Sequence, residues 1–307
     1  MQFIRGLHNL RLQKEACIAT IGNFDGVHLG HHAVLDQVKD SAKSNGLIST
    51  VVIFEPQPIE YFAPNKAPSR LTRLREKLQQ FAIHDIDRVV CLRFDEKTAN
   101  LSAADFVDHV LLDGLAVKKL IIGDDFRFAK NREGDYQYLV NAAEEKDFDV
   151  TKTNSFTLDS ERVSSTLIRE SLADGDMIKA ARLLGRPYRI SGRVAHGDKR
   201  GRRLGFPTAN VELHRYFSPV EGIFSGRIFG VDETPLDAVI YVGSRPVFKG
   251  QRVILEVHIM DFDEDIYGEY ISVEFIKSLR KEIKFETIED LKNQLYKDRE
   301  DALKVLK

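Results

Sequence analysis

Thr20-Ile21-Gly22-Asn23-Phe24-Asp25-Gly26-Val27-His28-Leu29-Gly30-His31 joins an apolar run, Ala16 to Ile21, to a helical pattern carrying apolar Leu35, Val38 and Ala42 and ended by Gly46. The run reads as a buried strand, so two histidines three residues apart fall at a strand-to-helix turn. Backbone N–H groups and the positive end of the helix dipole converge there and favour an anion. Glycines such as Gly22 and Gly30 let the chain approach a phosphate closely, and His28 and His31 add donors that can follow charge onto phosphate oxygens. In isolation the same pair also suits a helix cap beside an exposed ring.

Outward from this turn, the first half alternates strand and helix patterns. Strands are expected at 16–22, 49–54, 87–93, 118–123 and 148–154, with helices between them at about 31–44, 71–82, 102–112 and 133–146. Ser102-Ala103-Ala104-Asp105 opens the third helix as a capping-box-like start. Such alternation implies an α/β domain, a parallel sheet covered by helices on both faces, with ligands at the carboxyl ends of the strands. A helical pair at about 165–184 ends in Leu184-Gly185-Arg186-Pro187. From Tyr188 to Phe275 short strands and turn residues take over: Tyr188–Val194, Gly222–Phe229, Ala238–Val242, Val253–Met260 and Tyr270–Phe275. Their spacing predicts a small antiparallel barrel, and Leu291, Leu295, Ala302 and Leu306 of a terminal helix at about 288–306 would cover one side of it. The domains expected are 1–185 and 186–307.

A chain of 307 residues has room for two cores. It carries 45 Lys and Arg against 47 Asp and Glu. Neither side of Leu184 is strongly basic, which argues against a nucleic-acid partner. Cys17 and Cys91 sit in strand-like apolar runs and read as buried thiols. The N-terminus lacks signal-peptide character, and no apolar run approaches the ~20 residues needed to cross a bilayer. The expected compartment is the cytoplasm, with no membrane partner.

Four further segments carry chemistry. Ser164-Ser165-Thr166-Leu167-Ile168-Arg169 sets hydroxyls at a helix start and an arginine one turn on, a phosphate-binding group or a capped surface helix. Gly123 to Gly134 follows the strand Leu120–Ile122; its Phe126 and Phe128 could flank a flat ring or serve the core. Gly192 to Asn210 is glycine-rich and basic and can wrap a polyphosphate, although it holds no G-x-x-x-x-G-K-[ST]; it also suits a solvated hairpin tip. Thr208 and Asn210, two apart in an extended segment, turn oxygens to one side. In the strand Val253–Met260, Val253, Leu255, Val257 and Ile259 share one face. Ile254, Glu256, His258 and Met260 share the other, where a carboxylate amid apolar neighbours is costly unless paired or useful.

The H-x-G-H segment resembles the signature of the nucleotidylyltransferase superfamily. With S-S-T-x-I-R at 164–169, G-F-P-T-A-N at 205–210 and L-E-V-H at 255–258, nearly the whole chain resembles the bacterial riboflavin kinase/FAD synthetase family. The resemblance implies a Rossmann-like nucleotidylyltransferase domain and a riboflavin kinase barrel. ATP, riboflavin and FMN would be the substrates, with Mg²⁺ as cofactor. In adenylyl transfer Asn23, His28, His31 and Arg169 would supply donors. Gly22, Phe24, Asp25, Gly30, Ser164, Ser165 and Thr166 would bind nucleotide, and Asp125, Phe126, Phe128 and Arg132 would bind flavin. In the kinase Gly197, Gly201 and Gly205 would bind nucleotide, Thr208 and Asn210 would hold the metal, and Glu256 would be the general base. The partners are then small molecules, and monomer and weak oligomer both stay open.

The chain departs from the family pattern in three places. Ala129 stands where glycine is common. Glu55 and Gln57 stand where many relatives carry Asp and His. Tyr241 and Val247 replace an amide and a hydroxyl in the middle barrel strand, where Gly243 and Pro246 are expected to keep a turn. The last change points to a retuned kinase. Two alternatives follow: a FAD synthetase with a weakened or regulatory flavin-binding barrel, or a nucleotidylyltransferase for another acceptor, which the barrel motifs argue against.

Overall fold

A computed structural model describes residues 1–9, 15–123, 125–197, 201, 204–213, 217–247 and 250–307. Asp124, Asp198, Lys199, Arg200, Arg202 and Arg203 of the segments above lie outside the described residues, as does the side chain of Val247. The chain divides into two compact units, Met1–Ala67 with Thr72–Val163, and Pro68–Leu71 with Ser164–Lys307.

Among the described residues the first unit holds six parallel strands: β1 (Gln2–Arg5), β2 (Cys17–Ile21), β3 (Ile48–Glu55), β4 (Arg88–Arg93), β5 (Val117–Ile122) and β6 (Asp149–Lys152). Their order is β1-β4-β3-β2-β5-β6. Side chains alternate between two covered faces, which is why the strands read as continuous apolar runs. Cys17, Ala19, Ile21, Val52, Val90, Leu92, Leu120 and Ile122 enter one core. Val51, Ile53, Val89 and Cys91 enter a second, opposite core, and Ile18 and Ile121 join a third cluster with the helix Leu29–Asn45. That helix buries Leu35, Val38 and Ala42 and ends at Gly46, whose φ of 63° suits glycine. β1 was not expected; four residues pairing only with β4 at the sheet edge leave little pattern. The helix expected at 102–112 starts as α-helix at Ala103–Asp105, capped by Ser102, and continues as π-helix over Phe106–Leu112. Two short strands, β7 (Thr157–Leu158) and β8 (Glu161–Arg162), pair as a hairpin.

The loop after β5 holds a local conflict. Ala129 takes φ 66°, ψ −179°, a region that is essentially glycine's. Relieving it gains about 1–3 kcal/mol, against about 0.4–1 kcal/mol for glycine's freer unfolded chain. Ala129→Gly is therefore expected to raise the melting temperature of this unit by about 2–4 °C in thermal denaturation; a lower midpoint would contradict the strain.

The second unit is a closed antiparallel barrel of β9 (Tyr188–Ala195), β10 (Ala209–Glu212), β11 (Gly222–Phe229), β12 (Leu236–Val247), β13 (Gly250–Ile259) and β14 (Tyr270–Arg280), in the order β10-β13-β12-β11-β14-β9. Pairing of β9 with β10 closes it. The turn expected at Gly243–Pro246 is absent: β12 runs through to Val247, and its register with β13 is unbroken from Ala238↔Ile259 to Val247↔Gly250. The helices Ser165–Ala173 and Met177–Leu184 lie in this unit, the second of them against β9 and β14 and ended by Gly185 at φ 75°. The terminal helix Ile288–Leu306 is capped by Thr287 and buries Ala302 and Leu306 against Met260 of the barrel.

A buried ion pair bolts that helix down. Arg280 Nε and Nη2 donate to the two carboxylate oxygens of Asp298 at 2.8 and 2.7 Å, and Gln294 Nε2 adds a third bond at 2.8 Å. The Asp298 carboxylate is 4% exposed. Removing one partner leaves a buried charge, so Asp298→Ala is expected to cost this unit about 3–5 kcal/mol in urea unfolding. A loss below about 1 kcal/mol would mean the helix is held by its apolar face alone.

Candidate active sites

In the first unit the strand order reverses between β2 and β5, because the chain fills one side with β3 and β4 before crossing to β5 and β6. Ligands of open α/β sheets bind at that crevice. The H-x-G-H turn leaves β2 there. Between strand and helix, Phe24, Gly26 and Val27 take φ of 47°, 88° and 42°. A β-branched residue in the left-handed region is an outlier that the surrounding fold must hold, and Val27 is fully buried.

His28 is the N-cap of the helix, and the two histidines cap it reciprocally. His31 N–H donates to His28 Nδ1, and His28 N–H donates to His31 Nδ1, each at 3.3 Å. The rings stack 3.7 Å apart at 16°. A neutral imidazole that accepts at Nδ1 carries its proton on Nε2, so both rings present Nε2–H. His28 is buried and His31 half-buried. Gly30 leaves room for the His28 ring: a Cβ there would sit 3.1 Å from its Cε1. Gly22 does the same for Phe24.

Phe24 and Asp25, two of the positions read as nucleotide contacts, are buried within this turn. Phe24 is 4% exposed and packs edge-on to Phe81 and 5.0 Å from His31. Asp25 is buried, accepts from Thr72 N–H at 3.0 Å and Thr72 Oγ1 at 3.3 Å, and the same hydroxyl accepts from Gly26 N–H at 2.8 Å. Both support the loop; Asn23 is exposed beside them.

The proposed flavin residues divide. Phe128 is in the core against Phe106 and Tyr138, while Phe126 stacks on it at 5.6 Å and is half-buried. Gly134 permits this, since a Cβ there would strike the Phe128 ring. Asp125 and Arg132 are exposed, and Asp125 pairs with Arg162 at 3.6 Å. A second aromatic group was missed from the sequence. Phe54, Tyr61, Phe62 and Phe94 meet just beyond the carboxyl ends of β3 and β4, with Phe62 65% exposed. Its signal is the placement of Phe54 and Phe94 at the ends of adjacent strands. Close by in sequence, after a cis Glu55–Pro56 peptide, Gln57 is buried and its Nε2 has no hydrogen-bond partner among the described residues. A buried amide donor left unpaired is costly and suits a ligand acceptor.

The Ser164–Arg169 segment belongs to the second unit. Ser164 caps the helix by accepting from Leu167 N–H at 3.2 Å. Ser165 and Thr166 follow in its first turn, and Arg169 Nε donates to Ser69 O at 2.6 Å.

A cavity of about 740 Å³ lies on the outer face of the barrel. One register row across the strands lines it: Ala195, Asn210, Glu256, Tyr241, Ile223 and Arg280, each paired with the next. The alternation expected for β13 holds. Val253, Leu255, Val257 and Ile259 are buried and Ile254, Glu256 and His258 half-buried; the latter three line the cavity, as do Val253 and Leu255. Asn210 and Tyr241 flank Glu256 on the neighbouring strands. Gly197, Gly201 and Thr208 line the same cavity. A Cβ at Gly197 would strike the Asn210 amide, and one at Gly201 would strike Phe206 O and lie 3.3 Å from Thr208 Oγ1. The glycines thus lay backbone against the two oxygen-bearing side chains. Gly205, at φ 84°, makes the turn before Phe206 and does not line the cavity. His258 Nδ1–H donates to Pro207 O at 2.8 Å, and burial pushes its imidazole below the usual value, so the clamp is neutral.

Among the described residues no helix is long and apolar enough to cross a membrane, and Cys17 and Cys91 are buried and joined in no disulfide. Residues 10–167 match the FAD synthetase family model and residues 184–306 the riboflavin kinase model. The chain is 48% identical to the bifunctional riboflavin kinase/FMN adenylyltransferase of Escherichia coli K12 over 97% of its own length and 96% of that protein. It is 45% identical to the Haemophilus influenzae protein of the same name over 98% of each. A Streptococcus pneumoniae crystal structure described as a macrolide-efflux protein is similar over 98% of both chains, at 26% identity and a TM-score of 0.82. With both family models matched in order along one chain, and relatives this similar over nearly their full length, the chain belongs to the bifunctional riboflavin kinase/FMN adenylyltransferase family.

Proposed function

We propose that this chain phosphorylates riboflavin to FMN and adenylylates FMN to FAD, with residues 186–307 serving the first reaction and 1–185 the second. What supports the reading is one arrangement suited to a polyphosphate in each compact unit: a reciprocally capped histidine pair at a switch point, and glycines packed on Asn210 and beside Thr208 in the cavity that Glu256 lines.

In the barrel, Glu256 takes the proton of the ribityl 5′-hydroxyl as that oxygen attacks the γ-phosphorus of ATP. The bond to the β,γ-bridging oxygen breaks and ADP leaves. The strand order and the cavity lining support phosphates toward β10 and the glycines, the base on β13, and the flavin toward β12 and the apolar wall of Ile283, Phe285, Leu291 and Leu295. Thr208 and Asn210 fit Mg²⁺, which favours oxygen donors and keeps waters while phosphates complete its shell. Bound there, it would neutralise charge on the transferring phosphoryl group.

In the parallel-sheet unit a phosphate oxygen of FMN attacks the α-phosphorus of ATP in line. The α,β-bridging P–O bond breaks and pyrophosphate leaves, with no protein nucleophile. The Nε2–H groups of His28 and His31, and Asn23, are donors to the oxygens that gain charge. Gln57 Nε2 is a further donor. The exposed Tyr61–Phe62–Phe94 group suits the flavin ring better than core Phe128 does. Neither reaction involves a membrane or nucleic acid, and the buried thiols suit the cytoplasm.

Incubation with riboflavin, ATP and Mg²⁺ followed by flavin chromatography tests this: FMN is expected first, then FAD. FAD from supplied FMN with none from riboflavin would favour the second reading, a barrel retuned at Tyr241 into a flavin-binding regulator.

A further inference from the structure

Tyr241 departs from the amide of its family, and it sits next to the base. Its strand neighbour across the ladder is Glu256, and cross-strand partners on one face lie about 4.5–5.5 Å apart at Cβ. The phenol hydroxyl donates to Glu282 Oε1 at 3.0 Å, in the segment that follows β14. Reaching it requires the ring to lie along its own strand over Gly243, two residues on and on the same face: a Cβ at Gly243 would strike the Tyr241 hydroxyl and its ring carbon. Gly243 therefore has a steric reason tied to this tyrosine.

Glu282 lies in an exposed stretch, residues 281–284, between two better fastened points: Arg280, bolted to Asp298, and the terminal helix. This stretch brings Glu282 and Ile283 to the cavity wall, and the half-buried Phe285 follows them there. A side-chain hydrogen bond from Tyr241 on β12 ties Glu282 of this stretch to the barrel, beside the bond from Arg280 to Lys281 O. We infer that Tyr241 is a positioning residue for riboflavin: its hydroxyl, aimed by the space over Gly243, holds Glu282 and with it the wall of Ile283 and Phe285 against which the flavin ring packs. An asparagine is too short to make the same reach, so the tyrosine replaces one way of shaping this wall with another. The expected effect is on flavin binding, through the wall that the bond to Glu282 holds.

This inference rests on the kinase reading of the cavity. The full-length chain is assayed for FMN formation with riboflavin varied at saturating ATP and Mg²⁺. Tyr241→Phe and Glu282→Ala are each expected to raise KM for riboflavin about tenfold with kcat within about twofold, since one charge-assisted hydrogen bond is lost and the base is kept. The double variant is expected to match either single, because both remove one interaction. Glu282→Gln keeps an acceptor oxygen and should recover most of the loss seen with alanine. Gly243→Ala should reproduce the Tyr241→Phe defect, and should add nothing to it in a Gly243→Ala, Tyr241→Ala background. An unchanged KM in Tyr241→Phe, a fall in kcat alone, or multiplicative effects of the two singles would overturn the inference and leave the kinase reading standing. No FMN from the unaltered chain would remove both.

Discussion

Glu256→Gln makes FMN from riboflavin about 10²–10⁴-fold more slowly than the unaltered chain, the span that a positioned general base supplies. Glutamine keeps the size and hydrogen-bonding shape of the side chain but cannot take the proton of the ribityl hydroxyl. Glu256 is flanked by Asn210 and Tyr241 in one row and faces a cavity lined by the glycine cradle. The buried face of β13 is built by Val253, Leu255, Val257 and Ile259, so the substitution leaves the barrel core intact. Adenylylation of supplied FMN is expected to persist, because the histidine pair belongs to the other compact unit. Kinase turnover within tenfold of the unaltered chain would mean that the proton leaves by another route.

His31→Ala carries the second large effect. It removes one Nε2–H donor from the turn, and by analogy with a lost oxyanion donor it should slow FAD formation from FMN by about 10²–10³-fold. The same change removes the acceptor for His28 N–H and the stacked ring. Those losses resemble a damaged helix cap, about 1 kcal/mol, too little to unfold the unit. His28 is the less informative target, because its buried ring is itself the N-cap. Near-normal FAD synthesis by His31→Ala would refute the assignment of this turn to adenylyl transfer. FMN formation by the same variant serves as its internal reference.

Much of this was legible in the sequence because the two periodicities are strong. The strand-turn-helix context of the H-x-G-H segment, the alternation in β13 and the capped helices follow from local spacing, and each is found where it was expected. What escaped depends on contacts far apart in the chain. Phe24 looks like a ring offered to a nucleotide; its positive φ turns it onto Phe81 instead. Asp25 looks like a ligand until Thr72, 47 residues on, donates to its Oδ1 from both N–H and hydroxyl. The Phe54–Phe62–Phe94 group assembles only when β3 and β4 pair. β10 was hidden because Ala209-Asn210-Val211-Glu212 is short and half polar, and the barrel, not propensity, makes it a strand. The turn expected at Gly243 failed because that glycine answers a steric need of Tyr241 within a continuous strand.

The central claim is that two independent sites on one chain act in sequence, joined by FMN. Mixing Glu256→Gln chains with His31→Ala chains tests it most directly, with riboflavin, ATP and Mg²⁺ supplied and flavins followed by chromatography. Alone, the first variant should leave riboflavin unconverted and the second should accumulate FMN; together they should make FAD, because FMN released by one is adenylylated by the other. A mixture that accumulates FMN without FAD, or either variant alone making FAD at the rate of the unaltered chain, would contradict it.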